Sequence, residues 1–232
     1  TMPANGNTED SILYENPKFE FNTGVTVLIG RNGAGKSTLL DGIKTHCNNK
    51  KIPCFHYDNY KDGGDKAKSM YGAIGDMESL FNTLFHSEGE QIYYNFCQQA
   101  NKLGGFFKKH KGAKQIVVLL DALDSGLDCE GIHQMLQLFS LVINDNKETD
   151  IYIILTANNF GLLRNQRCLD VKTGNYLIFK NYEEFEIFIL NRYEEERKNG
   201  GKNEDQNPDT RFITELFTFN TNSCVRCDLT RT

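Results

Sequence analysis

The sequence predicts an α/β fold with a mostly parallel central sheet, and three observations predict it. Two continuous apolar runs, residues 115–120 (QIVVLL) and 151–155 (IYIIL), have the length and composition of strands buried on both faces. Segments with apolar residues at helical spacing alternate with such strands. A glycine-rich loop, residues 30–35, lies between a β-branched run and a helical pattern.

In chain order, residues 19–21 and 25–29 read as strands joined by a turn at Asn22, Thr23 and Gly24. Leu39, Leu40, Ile43 and Cys47 then mark one face of a helix opened by the glycine-rich loop. Residues 54–57 are the next strand, and 61–65 a loop. A helix is predicted over 87–109, with Ile92, Phe96, Ala100, Leu103 and Phe107 on one face. Ser87 with Glu90 forms a capping box at its start. The strand at 115–120 is followed by a helix carrying Ile132, Met135, Leu136, Phe139, Val142 and Ile143, and then by the strand at 151–155. Residues 168–171 and 176–179 form a hairpin turning at Thr173, Gly174 and Asn175. A last helix covers about 182–197. This divides the chain into a main domain (1–197), a polar flexible linker (198–210) and a tail (211–232). The apolar piece at 212–219 is a candidate docking segment, though a packed or frayed terminus fits equally.

The chain has 232 residues, 39% hydrophobic and 25% charged, ordinary values for one globular α/β domain. A net charge of −5 does not indicate a nucleic-acid surface, so nucleic acid stays open as a partner without support from charge. No run of about 18 apolar residues is present, so no transmembrane segment is expected. No basic-then-apolar leader is seen, and seven scattered cysteines fit a reduced cytoplasmic protein. Cys224 and Cys227 form a C-x-x-C without a second ligand pair; a free thiol pair is favoured over metal or redox use. Thr1 before Met2 reads as a residue left by a cleaved tag.

Residues 30–37 (GRNGAGKS) match G-x-x-x-x-G-K-[ST] at every fixed position, after a strand and before a helix. Backbone amides of Asn32, Gly33, Ala34, Gly35, Lys36, Ser37 and Thr38 would cradle phosphates there, aided by the helix dipole. Lys36 would reach the β- and γ-phosphates, and Ser37 would ligate Mg²⁺. Asp121 ends a buried strand and is the second candidate Mg²⁺ ligand. The expected cofactors are ATP and Mg²⁺, within a P-loop NTPase fold.

Beyond the P-loop, residues 121–128 (DALDSGLD) resemble the stretch that follows the Walker-B strand in ATPases of the ABC superfamily. Residues 86–91 (HSEGEQ) are similar to that family's signature, with Ser87 and Gly89 matching. The resemblance implies an ABC-type ATPase head of the soluble SMC/RecF-like branch. It also implies a homodimer on ATP binding, each nucleotide lying between one P-loop and the partner's Ser87 and Gly89. Asp128 would then contact the opposing phosphate loop. For Ser87 the plainer reading is a helix cap. No histidine follows the strand at 151–155; Asn158 is the candidate at that switch position. Asp58 and Asn59 are the nearest polar residues to the expected Q-loop, and Tyr14 is one candidate for adenine stacking.

Ala122 occupies the place of the family's catalytic glutamate. Either the chain is a natural pseudo-ATPase, or Ala122 replaces a native glutamate; Thr1 and the otherwise intact phosphate residues favour the replacement. The implied function is an ATPase that drives or regulates an effector or other protein partner, in nucleic-acid processing or phage defence. The alternatives are a nucleotide-binding subunit of a transporter and an ATP sensor without turnover.

Overall fold

A computed structural model of the chain describes residues 14–15, 18–59, 101–122, 124, 127–198 and 217–220. Six strands form one sheet: β2 (Gly24–Ile29), β3 (Cys54–Asp58), β4 (Gln115–Asp121), β5 (Asp150–Thr156), β6 (Arg167–Asp170) and β7 (Tyr176–Leu177). Their order is β3-β4-β5-β2-β6-β7, and all neighbours are parallel except β6 and β7. The α/β, mostly parallel architecture expected from the sequence is the one observed, and it is that of a P-loop NTPase.

Period-two alternation explains why the central strands are apolar throughout. On β4, Ile116, Val118 and Leu120 join one core, while Val117 and Leu119 join another. On β5, Ile151, Ile153 and Leu155 point to the first core and Tyr152 and Ile154 to the second. The first core is closed by Leu103 and Phe107 of the helical stretch 101–109 and by Ile132, Met135 and Phe139 of α2 (Cys129–Asp145). Leu39, Leu40, Ile43 and Cys47 of α1 (Lys36–Lys50) close the second.

Phe19 and Phe21 also belong to that second core, and the two strands joined at Asn22 to Gly24 lie in different sheets. The strand β1 (Phe19–Asn22) does not enter the main sheet. It pairs in parallel with β8 (Phe217–Asn220), register Phe19 to Phe217 and Phe21 to Phe219. Gly24, at φ 96°, lets the chain turn from one sheet into the other. The Phe219 ring lies 4.8 Å from Tyr152 and 5.9 Å from Phe21.

The hairpin of β6 and β7 turns through Gly174, at φ 73°, and its bend is organised by one buried carboxylate. Asp170 accepts hydrogen bonds from the Lys172 amide (3.1 Å) and the Thr173 hydroxyl (2.7 Å), and it pairs with the Arg192 guanidinium. Arg192 lies on α4 (Tyr182–Lys198), which packs Phe185 and Phe188 against Phe179. A single turn, α3 (Phe160–Leu163), is too short to show a periodicity in the sequence; Asn159 caps it, accepting from the Gly161 amide at 2.9 Å. No described helix is long and apolar enough to cross a membrane.

Candidate functional site

The loop after β2 leaves the sheet at its C-terminal edge and runs into α1. Gly30, Gly33 and Gly35 have φ of 149°, 84° and 88°, values that turn backbone amides in directions an L side chain resists. At Gly30 a Cβ would stand 3.1 Å from both Ala34 Cβ and Val171 Cγ2, a tight approach that would oblige those side chains to give by a few tenths of an ångström. Gly35 is the N-cap of α1 and offers no side-chain acceptor to the helix's first amides. Such a turn followed by a helix N-terminus is a receptor for a phosphate chain.

Lys36 folds back over this loop. Its ammonium donates to the carbonyls of Gly30 (2.6 Å) and Arg31 (3.1 Å). Burial holds its pKa below the ordinary lysine value, while the charges of Asp121 and Asp124 partly restore it. Asn32, Gly33 and Ser37 are exposed, whereas Ala34, Gly35, Lys36 and Thr38 are half-buried. Arg31 stacks over the Tyr193 ring of α4 at 4.7 Å from its centroid.

Parallel registry brings the ends of four strands to this edge. Asp58 and Asp121 are paired on β3 and β4, and Leu28 of β2 is paired with Thr156 of β5. Asp121, 7% exposed, accepts a 2.5 Å hydrogen bond from the Thr156 hydroxyl. The same hydroxyl accepts the Ala122 amide at 2.8 Å. Ala122 sits at φ 51°, in the left-handed region. Beyond it, Asp124 accepts the amides of Asn158 (2.7 Å) and Asn159 (2.6 Å) on one carboxylate oxygen.

Among the sequence candidates, the P-loop residues, Asp121, Ala122 and Asn158 therefore gather at one edge of the sheet. Asp128 is exposed and caps α2, its Oδ1 accepting the Gly131 amide at 2.8 Å. Ser87 and Gly89 lie outside the described residues, as do Cys224 and Cys227. Tyr14 does not suit a stacking role: it is buried, donates its hydroxyl to the Gly35 carbonyl (2.9 Å) and meets Phe19 edge-on. Asn59 is also buried, with its side-chain oxygen taken by the Tyr57 hydroxyl at 2.9 Å.

Sequence reasoning missed Asp124 and Thr156. A second acidic residue three positions after Asp121, and a threonine ending the neighbouring strand, were the available signals. Among the described residues, no group of three or more His, Cys, Asp or Glu side chains is gathered as a self-sufficient metal site. The hard oxygens of Ser37 and Asp121 fit Mg²⁺, which takes one or two protein ligands and completes its shell with phosphate and water.

Comparison with curated proteins gives no match. A family model described as an AAA domain matches residues 11–220, nearly the whole chain and all of the site just described. The phosphate-binding loop, the parallel sheet and that match lead to one conclusion: the chain belongs to the AAA-domain family of nucleotide-binding P-loop ATPases.

Proposed function

We propose that the chain binds ATP with Mg²⁺ and, in its hydrolytically competent form, is an ABC-type ATPase that closes as a homodimer around two nucleotides. The position of Lys36 carries this reading. Its ammonium rests on two neutral carbonyls at the mouth of an amide-lined loop, and a phosphate is a stronger acceptor for the same charge. Amides from Asn32 to Thr38 hold the phosphate chain. Ser37 and Asp121 would hold Mg²⁺, which when bound would neutralise charge on the phosphates. Thr156 fixes the Asp121 carboxylate for that task.

Closure would set Ser87 and Gly89 of a second copy against the first copy's terminal phosphate, with Asp128 reaching across. The exposure of Asp128 at the start of α2 supports this assignment. The cycle drives or regulates an effector protein in the cytoplasm, as in the SMC/RecF-like ATPases of nucleic-acid processing or phage defence. Ala122 offers a methyl group where a carboxylate would orient water, and losing a general base costs roughly 10²–10⁴-fold in rate. A second reading, a sensor that closes on ATP without turnover, is favoured if Ala122 is the natural residue.

Solution mass by light scattering, with and without ATP·Mg²⁺, tests the reading. Doubling of mass with ATP alone is expected. A mass that ignores ATP, in a chain that binds it, would sink the dimer mechanism. Absence of nucleotide binding would sink the ATPase reading itself.

A further inference from the structure

Asp124 is buried and belongs to no part of the phosphate loop, yet its charge is felt at Lys36. It lies between β4 and α2, where its backbone carbonyl accepts the Leu127 amide at 3.3 Å. Its Oδ2 takes two amides from the chain leaving β5, Asn158 at 2.7 Å and Asn159 at 2.6 Å. Asn159 passes the constraint on, capping α3 through the Gly161 amide. One carboxylate thus joins the loops that leave two adjacent parallel strands, at the edge where the P-loop stands. Hydrogen bonds to an ionised acceptor are about twice as strong as neutral ones, so the join is firm. The two amides also disperse a negative charge that would otherwise stand bare beside an anionic substrate.

The geometry points to Asp124 as a positioning residue that holds Asn158 beside the terminal phosphate, so that the chain distinguishes a nucleoside triphosphate from a diphosphate. This rests on the ATP reading above. Asn158 is exposed, so its neutral carboxamide can donate to an added phosphate without proton transfer. A diphosphate, ending short of that loop, would be bound by the P-loop alone. Loosening the loop should therefore weaken ATP and leave ADP almost untouched.

The test is calorimetric titration of the full chain with MgATP and with MgADP, for the parent, Asp124→Ala and Asp124→Asn. Amide hydrogen exchange at residues 157–161 is followed in parallel. Asp124→Ala should speed exchange at Asn158 and Asn159 and cut the ATP-over-ADP affinity ratio about tenfold, the scale of one or two lost charge-assisted hydrogen bonds. ADP affinity should stay within about twofold, and Asp124→Asn, which keeps an acceptor oxygen, should recover part of the ratio. Should Asp124→Ala not fold, a smaller fall in the ratio for Asp124→Asn is still required. Faster exchange with an unchanged ratio would overturn the proposal, leaving a structural staple. A parent ratio of one, or equal losses for both nucleotides, would overturn it too. A parent that binds neither nucleotide defeats the ATP reading first, and the two failures are thereby told apart.

Discussion

The Thr156 hydroxyl donates to Asp121 Oδ1 at 2.5 Å, joining the ends of two adjacent parallel strands at the phosphate edge of the sheet. Its lone pairs simultaneously receive the Ala122 amide. Thr156→Val keeps the shape and removes both bonds. It should cost about 1–3 kcal/mol of stability, because a buried acceptor and donor lose their partner. MgATP affinity should fall severalfold more than that of Mg²⁺-free ATP, since Asp121 is then free to turn. Titration with and without EDTA checks this; equal losses would mean that Asp121 has no part in metal binding.

Ala122 separates stability from turnover. Its φ of 51° costs an L residue roughly 1–2 kcal/mol, and glycine escapes most of that penalty. Ala122→Gly should raise the denaturation midpoint, equivalent to about 1 kcal/mol, without changing ATP turnover. Ala122→Glu should keep the strain and raise ATP turnover by roughly 10² or more, the worth of a general base. Phosphate release under single-turnover conditions measures the second effect. An Ala122→Glu variant as slow as the parent would favour the sensor reading.

On the proposed reading, Lys36 should make nucleotide affinity sensitive to alkali. The phosphate-binding form is the ammonium, and burial, only partly opposed by Asp121 and Asp124, favours the neutral amine. Affinity should therefore be complete near neutral pH and decline as pH rises, beginning below the ordinary lysine range. Lys36→Met should bind weakly at every pH, with the decline abolished. Titrations across roughly pH 7–10 decide it, and a flat parent profile would contradict the buried-ammonium account.

Much of this was legible because the same residues encode fold and site. The apolar runs at β4 and β5 declare a two-sided parallel sheet, and Gly30 to Ser37 declare both a turn and a phosphate receptor. Asp124 and Thr156 were less visible because their roles arise across strands, from partners 34 and 35 positions away. Tyr14 misled for a related reason: an aromatic near the P-loop in sequence says nothing of which ring face is open, and here it is used in packing. The partner of β1 was equally hidden, since four residues of alternating pattern carry no address.

Tyr152 isolates a packing effect from a polar one. Its ring packs on Phe219, but its buried hydroxyl has no hydrogen-bond partner among the described residues. Tyr152→Phe should be neutral or stabilise by up to about 1 kcal/mol, because an unsatisfied group is removed. Phe21→Ala, in the same core and fully buried, should instead cost about 3–5 kcal/mol. Urea unfolding midpoints compare the two; a destabilised Tyr152→Phe would imply that the hydroxyl is paired in solution.

The pairing of β1 with β8 also sets an order of events on the ribosome. Phe19 is made early, but its neighbour Phe217 emerges only after every strand of the main sheet has been synthesised. A nascent or truncated chain can thus close its nucleotide-binding sheet while still presenting an unpaired β1 edge, a state open to chaperones and to mispairing between chains. Pairing of β1 is thus deferred until the segment around Phe217 has been made.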